Sequence, residues 1–195
     1  MHCIAFILTY AALISICSIQ NSMAFLIAWE IMALSAFILI IFEHQKRETL
    51  KAGINYLIQA HVSIIFLTLA FIWAASRTNS FDFKSIQVFS EMYPSLTSLA
   101  LFLCFFIGFA IKAGFVPFRT WLPHAHPAAP AHISVIMSGV IIKIGIYGIL
   151  RMVLLIKSDY TIVGSIILVI SVISAVYGVM LAILQHNLKL QKLPK

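Results

Sequence analysis

The chain has 195 residues, of which 62% are hydrophobic and only 10% are charged, with a mean hydropathy of +1.05. A soluble domain averages about 25% charged residues, so this composition excludes a soluble globular protein and indicates a membrane protein. The net charge of +7 does not indicate binding to nucleic acid, because the basic residues are scattered over loops rather than aligned along one face.

Long apolar runs with few charges fill most of the sequence. A helix that spans a bilayer needs about 20 apolar residues, and the first run is long enough for two such helices, with residues 19–22 as the turn. We therefore predict one all-α transmembrane domain over residues 1–195, a polytopic helix bundle with about six spans. The predicted spans lie near residues 3–19, 23–42, 52–75, 96–126, 131–151 and 160–185.

The ends, loops and cysteines give weaker indications. Residues 1–3 lack the basic segment of a signal peptide, so we predict none. The three cysteines lie singly in apolar runs, which predicts neither disulfides nor a thiolate-ligated cluster. Lysine and arginine in the short loops favour a cytoplasmic position for loop 43–51, the proline-rich stretch and the C-terminus.

A proline-rich stretch follows the fourth long apolar run. Proline removes a backbone donor and clashes with the preceding turn, so we predict that the fourth span is broken near residues 114–117 and is not continuous to residue 121. Inside a bilayer, a broken helix beside a charge is typical of an ion site in a transporter. The residues predicted to break the helix are Gly114, Pro117, Pro123, Pro127 and Pro130.

Three charged residues lie inside predicted spans: Glu30, Lys112 and Lys143. Each costs on the order of 2.5–3.5 kcal/mol at the centre of a spanning helix. An ion pair between Glu30 and one lysine is one interpretation, but it leaves the second lysine unexplained. Because burial favours a neutral amine and a nearby carboxylate favours a charged one, we predict a proton relay. In it, Glu30 pairs with Lys112, and Lys143 faces the bundle interior towards the break.

Four histidines are candidate relay or water-path residues. His124, His126 and His132 cluster at the break, where a metal site and a set of loop histidines bonded to freed backbone groups are both open interpretations. The spacing of His124 and His126 is not that of a structural zinc site, so we predict no metal. His61 lies in the third span, either as a relay residue or as a polar contact between helices.

Two adjoining segments resemble a known family. The sequence KAGFVPFRTWLPHAHPAAPAH at 112–132 is followed by MSGVIIKIGIYGILR at 137–151. Together they are similar to the signature of the proton-conducting membrane transporter family, which includes antiporter-like subunits of respiratory complex I, Mrp antiporters and membrane subunits of group 4 hydrogenases. The HPAAPAH variant is most similar to the branch of hydrogenase-4 component B and formate hydrogenlyase subunit 3. The likeness extends to 26–35 and 184–189.

The resemblance assigns roles residue by residue. It implies that Glu30 is the glutamate of family helix five, that Lys112 is the paired lysine of broken helix seven, and that Lys143 is the central lysine of helix eight. It places His61 where this branch has a histidine on helix six. Arg119 departs from the pattern, since a histidine is common at that position in this branch.

The resemblance also implies an architecture and partners. The chain corresponds to family helices four to nine: one five-helix repeat of an inverted-repeat fold plus one further helix, a fragment of a larger domain. We expect partner membrane subunits of a hydrogenase or complex I-like assembly in the cell inner membrane, and a complementing chain that supplies helices ten onward. No cofactor motif occurs, so the redox chemistry of such an oxidoreductase complex would belong to the partners.

Three functions are open at this point. The first is a proton-translocating subunit, or a truncated part of one, that moves protons through the Glu-Lys-Lys relay. The second is a cation/proton antiporter-type carrier that uses the same residues. The third is a non-functional truncated remnant.

Overall fold

The computed structural model of the chain describes residues 2–43, 47–93, 96–156 and 160–184. Its regular structure is a series of helices joined by short connections. The helices are α1 (His2–Ser18), α2 (Ser22–Ile40), α3 (Arg47–Thr78), α4 (Lys84–Met92), α5 (Leu96–Ala113), α6 (Leu122–Ala128), α7 (Ala131–Ile136), α8 (Ile142–Leu155) and α9 (Tyr160–Leu184). A single 3-10 turn, Ile41–Glu43, follows α2, and a π-helical turn, Met137–Ile141, joins α7 to α8.

The prediction of an all-α polytopic bundle is confirmed. Within the described ranges, five helical stretches are long and apolar enough to cross a bilayer. They are Ser22–Ile40, Arg47–Thr78, Leu96–Ala113, Ala131–Leu155 and Thr161–Leu181. Helix α1 is also apolar but has only 17 residues. These six segments lie where the sequence predicts its spans.

Helix α4 lies in a segment that the sequence predicts only as a long polar loop. It has nine residues and buries Ile86 and Phe89 on one side, with Ser85 and Ser90 beside them. Its neighbour Phe83 is also buried. A helix this short and polar has no long apolar run, so hydropathy alone does not find it.

Aromatic rings join the helices that surround the break. Phe25 of α2 packs edge-to-face against Phe71 of α3, Phe83 before α4 and Phe109 of α5, with ring centroids 5.4–6.2 Å apart. Pairs of this kind contribute about 0.5–1.5 kcal/mol each beyond the area that they bury. This cluster fixes α2, α3 and α5 relative to one another, and those helices carry Glu30, His61 and Lys112.

Helix α8 packs against α5 through glycine. A Cβ atom at Gly145 would lie 2.6 Å from the backbone nitrogen of Ala113 and 2.8 Å from the carbonyl oxygen of Phe109. Gly148, one turn later, lies against the ring of Phe109. The two backbones therefore approach closely because these positions have no side chain.

We expect Gly145→Ala to destabilise the chain by on the order of 1–3 kcal/mol, because a methyl group there meets backbone atoms that have no room to move. Thermal unfolding of the detergent-solubilised chain checks this. Gly164→Ala on α9 is the matched control, since a Cβ there meets nothing within 4 Å. Equal stability of the two variants would contradict the close packing.

Candidate functional site

The fourth predicted span is interrupted in the structure. Helix α5 ends at Ala113 and the next helix begins at Leu122. Gly114 has φ +73°, a left-handed conformation that favours glycine. Pro123 lies in the first turn of α6, where a missing N–H costs no helical bond, and Pro130 directly precedes α7. The side chain of Pro127, within α6, lies outside the described residues.

Side chains of the neighbouring helix α3 hold the interrupted segment. The Asn55 amide donates to the carbonyl oxygen of Thr120 at 3.3 Å, and the Gln59 amide donates to the Thr120 hydroxyl. The indole N–H of Trp121 donates to the carbonyl oxygen of Ile111 at 2.9 Å. Backbone and hydroxyl groups freed by the break thus find partners within the protein, as they must in a bilayer.

Helix α9 contacts the same segment from another direction. The backbone N–H of Val116 donates to the Ser174 hydroxyl at 3.0 Å. A Cβ at Gly178 would lie 2.7 Å from a guanidinium nitrogen of Arg119, so the absent side chain makes room for that group. Most of α9 is otherwise exposed. Arg119, within the interrupted segment, therefore extends to α9.

Lys112 lies at the centre of the site, in the last turn of α5. Its side chain is only 1% exposed, as is that of Tyr56 on α3. The Lys112 ammonium donates a hydrogen bond of 2.6 Å to the Tyr56 hydroxyl and lies 4.6 Å from the centre of the tyrosine ring. The Tyr56 ring in turn meets Trp121 edge-to-face at 5.2 Å. The buried amine is thus held next to the break by one hydroxyl group.

Glu30 does not contact Lys112 directly. Its Oε1 atom lies 3.3 Å from His61 Nε2, and within the described residues no ion pair joins it to Lys112. Its Oε2 atom is buried and has no hydrogen-bond partner among those residues. The preceding residue, Trp29, packs against Phe109 of α5 with ring centroids 5.4 Å apart, and Phe109 lies one turn before Lys112. Glu30 and Lys112 are therefore near each other, but a direct ion pair between them is not formed.

Lys143 is exposed, so the prediction that it faces the interior of the bundle is wrong for the described residues. The reason is the packing of α8. Gly145, which sets the contact with α5, lies two residues further on and hence about 200° around the helix. Close approach of α5 to Gly145 therefore turns Lys143 outwards. Gly139, one turn before Lys143, lies in open space as well.

Two of the histidines at the break, His124 and His132, have different polar neighbours. His124 Nδ1 lies 2.9 Å from the Thr120 carbonyl oxygen, and His132 Nε2 lies 3.2 Å from His2 Nε2. His126 belongs to α6, but its side chain is outside the described residues. In the described ranges, no group of three histidine, cysteine or acidic residues converges as metal ligands would. His61 is 49% exposed and has its second nitrogen 2.9 Å from the Leu57 carbonyl oxygen.

Comparison with known families decides the affiliation of the chain. The model described as "NADH:quinone oxidoreductase/Mrp antiporter, TM" matches residues 20–191. The chain belongs to this family. Its members that resemble it include hydrogenase-4 component B of Escherichia coli, 38% identical over 92% of this chain and 27% of the relative. NADH-quinone oxidoreductase subunit M of Rickettsia bellii is 31% identical over 87% of this chain and 34% of the relative.

A solved structure has the same fold. One chain of the membrane-bound sulfane sulfur reductase, an archaeal respiratory membrane complex, superposes with a TM-score of 0.69 at 20% identity. The match covers 78% of this chain and 31% of that one. The present chain therefore spans roughly a quarter to a third of the length of each of these three proteins.

Sequence reasoning missed Tyr56, although Tyr56 is the direct partner of the buried lysine. Hydropathy and charge gave no reason to select it, since a tyrosine in an apolar span is common as packing. Its neighbours on α3 were the available clue. Asn55 and Gln59 lie one turn apart and mark a polar stripe on this helix, and Tyr56 adjoins it.

Proposed function

We propose that this chain is the proton-translocating part of a membrane subunit in a hydrogenase-type or complex I-like assembly. The observation that carries the proposal is Lys112, an amine buried beside a helix break, which donates a hydrogen bond to Tyr56 and lies close to the part of α2 that carries Glu30. Desolvation favours release of the lysine proton, whereas the carboxylate favours its retention. A change in the position or protonation of Glu30 therefore loads or unloads Lys112.

Lys143 would serve as the next proton carrier. It is exposed on α8 and, within the described part of the chain, has no ion-pair or hydrogen-bond partner. A charge on a spanning helix costs free energy in lipid, so we expect this side of α8 to be covered by further family helices. Those helices would come from the rest of a longer protein or from a complementing chain.

A second side of the bundle calls for a partner subunit. Glu30 lies near the middle of α2, with 27% of its side chain exposed, and His61 lies near the middle of α3. Exposure of these two polar side chains to lipid is energetically unfavourable, so we expect another membrane subunit to pack over them. The likeness to hydrogenase-4 component B favours a hydrogenase-type assembly in the inner membrane.

In the proposed orientation, loop 43–51 and the C-terminus are cytoplasmic. The C-terminus and residues 44–46 lie outside the described residues.

Two alternatives to proton translocation can be distinguished from it by experiment. The family description names Mrp antiporters, which favours a cation/proton antiporter-type carrier in which sodium exchanges for protons at the same residues. A non-functional truncated remnant would keep the fold and conduct neither ion. We also propose that the redox chemistry of such an assembly belongs to its partner subunits, while this chain carries protons.

The test is proton uptake by proteoliposomes that contain the complete assembly, measured with a pH-sensitive dye with and without sodium. We expect uptake that is independent of sodium. In Glu30→Gln it should fall at least about tenfold, a threshold set below the roughly 100- to 10,000-fold contribution of a positioned acid-base group. Glu48→Gln is the matched control, because Glu48 lies in the first turn of α3, at the N-terminal end of that helix. Uptake that requires sodium would favour the antiporter, and uptake equal to that of empty liposomes would favour the remnant.

A further inference from the structure

Packing explains the ring of Tyr56 but does not explain its hydroxyl group. Its ring fills a buried space against Trp121, which a phenylalanine would fill equally well. Its hydroxyl accepts the hydrogen bond of Lys112 at 2.6 Å. The O–H proton of the phenol has no acceptor among the described residues, although a buried hydroxyl ordinarily donates as well as accepts. The hydroxyl is therefore occupied on one side by Lys112 and free to donate on the other.

The charges around Tyr56 indicate where that proton is drawn. Glu30 contacts His61 of α3, five residues along the helix from Tyr56, and its neighbour Trp29 packs against Phe109 of α5, one turn before Lys112. Glu30 makes no ion pair with Lys112 within the described residues, and its buried Oε2 atom lacks a donor there. The Glu30 Oε2 atom, an acceptor without a donor, and the Tyr56 O–H group, a donor without an acceptor, thus belong to one polar cluster between α2, α3 and α5.

We propose that the Tyr56 hydroxyl is the group through which protons pass between Lys112 and Glu30. The inference rests on the proposed function and assigns to Tyr56 a role in it that is separate from packing. It explains why two charges that affect each other have no direct contact. It also explains why a hydroxyl stands where an apolar side chain would satisfy the core.

The step balances without any further reactant. An N–H bond of the Lys112 ammonium breaks as an O–H bond forms on the Tyr56 oxygen. The original O–H bond of Tyr56 breaks as its proton joins the Glu30 carboxylate, once rotation of the Glu30 side chain has brought Oε2 within hydrogen-bond distance of the hydroxyl. Lys112 ends neutral, Glu30 ends protonated and Tyr56 is unchanged, so no phenolate and no unpaired buried charge accumulates.

The experiment replaces Tyr56 by phenylalanine in the complete assembly and measures proton uptake in proteoliposomes. Tyr56→Phe keeps the ring against Trp121 and removes only the hydroxyl. We expect a loss of at least about tenfold, a threshold set below the roughly 100- to 10,000-fold contribution of a positioned acid-base group. Tyr10→Phe is the matched control, because Tyr10 is an exposed residue of α1 and should retain wild-type uptake.

A second replacement separates proton transfer from a structural hydrogen bond. Fluorinated tyrosines at position 56 keep the shape and the O–H group but make the phenol more acidic, so uptake should change progressively with the number of fluorines. Wild-type uptake in the fluorinated series or in Tyr56→Phe would overturn the role of Tyr56. If Lys112→Met also has wild-type uptake, the proposed function itself fails; if Lys112→Met is inactive, only the role of Tyr56 fails.

Discussion

Replacement of Lys112 by methionine is expected to reduce proton uptake by the complete assembly by a factor on the order of 100 or more, the range found for groups that carry protons in a rate-determining step. Methionine has a similar length and fills an irregular apolar space well. The substitution removes a buried charge and does not create one, so the chain should still fold and assemble. Uptake by proteoliposomes and the amount of intact assembly are measured on the same preparations.

Lys84→Met is the control for this substitution. Lys84 is exposed at the start of α4 and lies outside the spanning helices, so its loss should leave uptake unchanged. Wild-type uptake in Lys112→Met would remove the buried amine from the proton path. Loss of the assembly together with uptake would show that Lys112 is required for the fold instead.

Replacement of Lys143 by methionine is the second large effect. Because Lys143 is exposed in the described chain and lies on the opposite side of α8 from Gly145, the substitution should leave the thermal unfolding of the isolated chain unchanged. In the complete assembly we expect most of the proton uptake to disappear, since Lys143 is the proposed carrier beyond the break. The contrast between an unchanged fold and a lost activity is the informative result.

An isolated chain that becomes less stable in Lys143→Met would show a structural contact that the present fold does not contain. Wild-type uptake in the assembled variant would show that Lys143 is not part of the proton path beyond Lys112. In that case the exposed lysine would be left with a role in helix contacts only.

The long apolar helices and the break were predictable because each depends on local sequence, whereas the short polar helix α4 was missed. Apolar runs of sufficient length define the spans, and Gly114 together with Pro117 opposes a regular helix wherever the chain lies. The three charges inside the spans were predictable for the same reason, since a charged residue within a long apolar run is visible in the local sequence and is unfavourable in a membrane unless its surroundings satisfy it.

The partners of those charges were not predictable, because they depend on how helices turn relative to one another. Two glycines of α8 fix its contact with α5 and thereby direct Lys143 outwards. Similarly, Lys112 reaches Tyr56 rather than Glu30 because α3 is the neighbour of α5 at that level. The resemblance to the family supplied residue roles but no contacts, and Tyr56 therefore emerged only from the structure.

The central claim is that Glu30 and Lys112 belong to one proton path, and a double-mutant cycle on proton uptake tests it most directly. Glu30→Gln, Lys112→Met and the double variant are compared with the parent assembly under the same gradient. Residues that act as a unit are strongly non-additive, so we predict that the double variant loses no more uptake than Lys112→Met alone. Losses that multiply, each substitution reducing uptake by the same factor in the presence of the other, would contradict the account.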